Sequence, residues 1–132
     1  MKELQECLEV KREIERLNER IVEIKAVVFS PKNQIITGMP HGGSGENAIE
    51  KYLIKLERLE ERKKALYKEL SDTWKAAEEK MPNLEEQERY LLYIRFTRGL
   101  PWKKCAVEMN KLYGNWNINR VFRTYRKTYN IF

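Results

Sequence analysis

Residues 88–106 read ERYLLYIRFTRGLPWKKCA, and the punctuation at their centre decides the fold. Gly99 suits the left-handed position that closes a helix, and Pro101 suits the first turn of the next one. Upstream, Asn83 is placed to cap a short helix, with Glu86 at its third position, over LEEQERYLLYIRFTR. Downstream, PWKKCAVEMNKL turns Trp102, Cys105, Ala106 and Met109 to one side before Tyr113-Gly114-Asn115 breaks it. A last helix is expected from about Asn117 to Asn130, with Ile118, Val121, Phe122, Tyr125 and Tyr129 inward. Three short helices over residues 83–132, with a glycine-containing turn before the last, make a small trihelical unit.

The rest of the chain reads differently. In residues 2–28, Cys7, Val10, Ile14, Leu17, Ile21, Ile24 and Val28 alternate spacings of three and four, as on the seam of a coiled coil. Ser30-Pro31 ends that helix, because the residue before proline leaves the helical region. A second helix is expected from a cap at Asn47, with Ile49, Tyr52, Leu56, Leu59, Leu66 and Leu70 continuing the seam. Lys63 interrupts it, and Trp74 and Ala77 lie near its end. The two helices would span roughly 40 and 50 Å. Each has one apolar stripe to bury, so residues 1–80 are expected to fold back as an antiparallel hairpin around a Gly/Pro loop at about 29–46. Pairing between copies in a homodimer is the competing arrangement, and the pattern admits both. The fold class expected is therefore all-α: a long hairpin, then a trihelical unit.

Charge is unevenly placed. The net charge is +6, yet residues 1–100 hold as many acids as bases. The excess lies in residues 101–132, where Lys103, Lys104, Lys111, Arg120, Arg123, Arg126 and Lys127 face one acid, Glu108. A solvated helix face normally mixes both signs, so this segregation points to an anionic partner. The last two helices have the layout of a helix-turn-helix: a small residue, Ala106, where helices cross, then a turn, then a helix with a polar outer face. That face is expected to carry Asn117, Asn119, Arg120, Arg123 and Thr124 to base edges of double-stranded DNA. Lys103, Lys104, Arg126 and Lys127 are expected to hold phosphates. The aromatics fall at core spacing, which disfavours a stacking platform for single strands.

The quoted segment resembles the opening of the region-4-like helix-turn-helix of bacterial sigma factors. In particular, it resembles the small phage-encoded regulators of Gram-positive bacteria of the RinA and ArpU type. Relatives of those regulators carry a helical hairpin ahead of the DNA-binding unit, with a loop similar to SPK…GMPHGG at residues 30–43. The resemblance implies transcriptional regulation of phage or prophage genes through promoter DNA and host RNA polymerase. One departure stands out: between Ala106 and Ile118 the chain is longer than a tight sigma-type turn needs. Either the first helix runs on to Leu112, or the turn is an enlarged loop. A small terminase-like packaging component and a protein–protein adaptor working through the hairpin are the alternative functions.

Other chemistry finds little support. GGSGENA lacks the lysine of a phosphate-binding loop, and His41, the only histidine, has no second ligand at metal spacing. The glycine-rich stretch reads as a hinge or docking loop. Glu60-Glu61, Glu78-Glu79 and Glu85-Glu86 sit among Lys and Arg, where solvated i, i+4 pairing is the ordinary explanation. Cys7 and Cys105 are too isolated for a zinc site or a disulfide and are expected to pack as reduced thiols. No catalytic residue, cofactor or metal is expected. With no long apolar run and no signal-peptide pattern, the protein is expected in the cytoplasm of a bacterial host, away from membranes.

Overall fold

The structure, a computed structural model, describes residues 2–29, 42–81 and 83–129, with side chains except at 42–47 and 129. Among the described residues five helices follow one another: α1 (Lys2–Val28), α2 (Gly42–Glu79), α3 (Glu86–Thr97), α4 (Trp102–Tyr113) and α5 (Ile118–Tyr129). There is no strand among the described residues, so the chain is all-helical as expected. The readings that concern Ser30-Pro31, the loop around His41 and the side chain of Tyr129 fall outside the described residues. Among the described residues, no helix is long and apolar enough to cross a membrane.

Two helix starts differ from expectation. α2 begins at Gly42, so Asn47 lies within the helix and not at its cap. Glycine costs about 1 kcal/mol at a helical position but blocks no hydrogen bond, and a long helix extends at little cost once nucleated. α3 is capped at Glu85 and not at Asn83, which takes a left-handed backbone (φ 67°). Asparagine tolerates that conformation, and Leu84 after it is buried. Glu88 Oε1 accepts the Glu85 N–H at 3.2 Å, so the capping arrangement is the expected one moved two residues along.

The chain divides into two compact units, residues 13–67 and residues 1–12 with 68–132. In the first, Ile14, Ile21, Ile24 and Val28 of α1 and Leu66 of α2 are buried. Leu17, Leu56 and Leu59 are half-buried. Ion pairs Lys25–Glu60 (3.6 Å) and Arg62–Glu13 (3.7 Å) join the helices, both exposed enough that each is worth at most about 1 kcal/mol. The expected seam weakens toward the start of α2, where Tyr52 is exposed beside Leu53 and Ile54.

In the second unit, Leu4, Cys7, Leu8 and Val10 of α1 are buried, as are Leu70, Trp74, Ala77 and Met81. Lys80 pairs with Glu3. That hydrogen bond holds the Glu3 carboxyl below its usual range and, in return, lifts the Lys80 ammonium above its own. The contact therefore weakens both when acid protonates Glu3 and when alkali deprotonates Lys80.

α3 is the central element, packing on α4 and α5, which also pack on each other. Its Leu91, Leu92, Ile94 and Phe96 are buried around most of its circumference. Leu91 and Ile94 join Cys105 and Met109 of α4, Trp116, and Val121 of α5 in one cluster, with Trp102 and Ala106 packed against it. Gly99 takes φ 70°, the left-handed state that favours glycine, and Pro101 forms the cap of α4. Arg95 Nη1 donates to the Leu100 carbonyl at 2.9 Å, and its guanidinium lies 4.7 Å from the Trp102 ring centre. The link between α3 and α4 is held from both sides.

Both cysteines are free and fully buried. Burial pushes the Cys7 thiol up to about 12 and the Cys105 thiol up to about 11. Because the thiolate is the nucleophile, neither should react with Ellman's reagent at pH 8 in native protein, and both should react in guanidinium. A full thiol count from native protein within minutes would contradict this packing.

Candidate nucleic-acid interface

The ambiguous turn resolves toward a longer helix: α4 runs through Tyr113, beyond Leu112. It stops because Gly114 (φ 72°) and Asn115 (φ 60°) both adopt left-handed backbone. Space does not demand glycine at 114, since an added Cβ there meets nothing within 4 Å; the backbone angle does. The turn is tied down on each side. Gly114 N–H donates to the Asn110 carbonyl (2.9 Å), and Asn110 Oδ1 accepts the Trp116 N–H (3.3 Å). The Trp116 indole, buried in the core, donates to Gln87 Oε1 of α3 at 3.0 Å.

α5 starts from that anchor. Asn117 Oδ1 accepts the Arg120 N–H at 2.8 Å, which makes Asn117 the cap of the helix. One lone pair of its carboxamide oxygen is thus engaged in the cap. Val121, Thr124 and Thr128 are buried, and Ile118 and Tyr125 are half-buried. Asn119, Arg123 and Arg126 are exposed.

This face is rotated from the expected one. Thr124, expected among the base-contacting residues, is 3% exposed, and its hydroxyl donates to the Arg120 carbonyl at 3.0 Å. Threonine's methyl allows that burial once the hydroxyl is satisfied inside the helix, so Thr124 leaves the site. Phe122, expected inward, lies at the margin with its edge toward Trp102 at 6.0 Å.

The cations differ in freedom. The Arg120 guanidinium lies 3.9 Å from the Trp116 ring centre, and its Nη1 donates to the Asn115 carbonyl at 3.0 Å. It is a fixed positive plate over the turn. Lys127 Nζ pairs at 2.6 Å with Glu88 Oε2, whose side chain is nearly enclosed. A buried carboxylate is costly without its cation, so Lys127, expected as a phosphate contact, is engaged by Glu88 while more than half of its side chain stays exposed. Arg123 shares a cleft of about 220 Å³ with Arg120, Lys127, Glu85 and Glu88. Lys103 and Lys104, on the first turn of α4, are exposed. Among the described residues, Lys103, Lys104, Arg123 and Arg126 have no ion-pair partner.

No protein family, curated protein or solved structure matches this chain. Local geometry therefore carries the functional reading. Among the described residues, no three His, Cys, Asp or Glu side chains are grouped to hold a metal. Sequence reasoning missed the platform that Trp116 offers Arg120, although the i, i+4 spacing of tryptophan and arginine was its available signal. Nothing in the sequence flagged Glu88 as the partner of Lys127.

Proposed function

We propose that the chain is a sequence-specific double-stranded DNA-binding regulator in which α4 and α5 act as a helix-turn-helix. α5 would enter the major groove. One observation carries the reading: α5 turns Val121, Thr124 and Thr128 into the core while Asn119, Arg123 and Arg126 stay in solvent. A helix held by its apolar face and cationic on its free face suits a polyanion. Arg123 and Asn119 read base edges, while Lys103, Lys104, Arg126 and the Trp116-backed Arg120 hold phosphates. Asn117 contributes by fixing the start of the helix.

The phage-type role, and contact with host RNA polymerase, rest on the resemblance of residues 88–106 to sigma-factor region 4. The long helices α1 and α2 form the antiparallel hairpin of this proposal. Exposed Val22, Tyr52, Leu53 and Ile54 favour a homodimer through that part of the chain.

Selection of bound fragments from random duplexes tests the function. The selected site should bind with a log K that falls against log salt at a slope of about −4, for about four neutralised phosphates. No enrichment of any sequence, or a flat salt series, rejects DNA recognition. A large ring in solution would instead favour a packaging component, and undiminished partner binding after deletion of residues 84–132 would favour an adaptor.

A further inference from the structure

A second concavity lies in the unit of residues 68–132, and none of its lining residues belongs to the candidate DNA site. It is a groove of about 480 Å³ walled by Trp74, Tyr90, Tyr93 and Tyr113, with Glu78, Glu86 and Arg89 among its polar groups. Spacing explains the convergence. Trp74 and Glu78 are one turn apart on α2, Glu86, Tyr90 and Tyr93 recur at four and three on α3, and Tyr113 ends α4.

The rings are set against one another. Trp74 meets Tyr93 edge-on with centroids 5.3 Å apart, Tyr90 stacks on Tyr93 at 6.2 Å, and Tyr113 meets Tyr90 edge-on at 6.3 Å. Trp74 is buried, but Tyr93 remains 37% and Tyr113 42% exposed, so much aromatic surface still faces solvent. Two carboxylates accompany these rings, and among the described residues neither Glu78 nor Glu86 has an ion-pair partner. Arg89 offsets one of the two charges, and its Nη2 already donates to the Met81 carbonyl at 3.4 Å. The groove is thus left with an acidic excess in a chain whose net charge is +6.

We propose that this groove receives a single arginine side chain presented by a partner protein. Ring faces carry negative potential that attracts a cation, and carboxylates nearby strengthen the attraction. A guanidinium is favoured over an ammonium because its plane stacks on aromatic rings while its edge donates two parallel hydrogen bonds to a carboxylate. The open form of the groove suits a side chain arriving on a protein surface. The proposal does not depend on the DNA reading, since the two sites share no residue.

The full chain, labelled with nitrogen-15, is titrated with acetyl-arginine methylamide and separately with its citrulline counterpart at fixed ionic strength. Trp74→Phe assigns the indole signal. The arginine compound should move the Trp74 indole resonance and saturate with a Kd on the order of millimolar. Citrulline, uncharged and nearly the same shape, should not saturate. The double change Glu78→Gln with Glu86→Gln should weaken arginine binding by about tenfold, because both carboxylates lose their charge. Tyr93→Ala should weaken it about fivefold and Tyr93→Phe should preserve it, which separates loss of the ring face from loss of the fold. Arg123→Ala should leave it unchanged. Equal binding of citrulline, or undiminished binding by the double glutamine variant, overturns the proposal.

Discussion

Phe96→Ala should cost about 3–5 kcal/mol of stability, the largest single effect expected in this protein. Phe96 is 1% exposed near the end of α3. Its ring stacks with Tyr125 of α5 at 5.9 Å and meets the edge of Trp102 of α4 at 6.0 Å. One side chain therefore touches both helices of the candidate interface. Truncation removes buried apolar surface and leaves a cavity, because helices joined by short, anchored turns cannot close over it. Against a typical total of about 5–15 kcal/mol, that loss is large. Thermal melting followed by near-ultraviolet circular dichroism should show the aromatic signal disappearing more than about 12 °C earlier. Tyr93→Ala, at a half-exposed ring, provides the comparison and should shift melting much less. A destabilisation below about 1 kcal/mol for Phe96→Ala would mean that the aromatic stack does not hold α4 and α5 together.

Arg123→Ala should weaken binding to the selected duplex by about 1–3 kcal/mol, which is roughly five- to more than a hundred-fold, and should affect random duplex much less. The reason lies in what Arg123 does not do within the chain. Among the described residues it has no ion-pair partner, and it is exposed on the free face of α5. Its guanidinium can therefore be spent on a guanine edge. Lys103→Ala is the counterpart: it should weaken both duplexes alike and reduce the salt slope by about 1. Filter binding or fluorescence anisotropy at two salt concentrations distinguishes them. Equal loss of selected and random duplex for Arg123→Ala would reduce Arg123 to a phosphate contact.

Most of the helical plan was legible because it depends on neighbours in the chain. The three-and-four spacing from Cys7 to Val28 marked α1 over the bounds observed. Gly99, Pro101 and Gly114 marked breaks that local backbone chemistry requires. Where the start of a helix depends on more than residue type, local chemistry falls short: Asn83 is the better cap by residue type, yet α3 starts after Glu85, Asn83 takes a left-handed backbone and Leu84 between them is buried. The inner face of α5 was misjudged for a similar reason. Thr124 looks polar in sequence, yet its hydroxyl is satisfied by the Arg120 carbonyl and its methyl can be buried.

The sequence by itself determined that the chain is helical, that helices break at Gly99-Leu100-Pro101 and at Gly114, and that its positive excess belongs to the last quarter. Those properties follow from helical periodicity, from the backbone limits of glycine and proline, and from simple counting of charge. Only the tertiary structure decided which cations are free. Lys127 is taken by Glu88, 39 residues away in the chain, while Arg120 is fixed over Trp116 and Arg123 is left to solvent. It also gathered Trp74, Tyr90, Tyr93 and Tyr113 from three helices around one groove. Such pairings leave no local mark, because they arise when separate apolar faces are buried together and the polar groups carried along must find partners where they land.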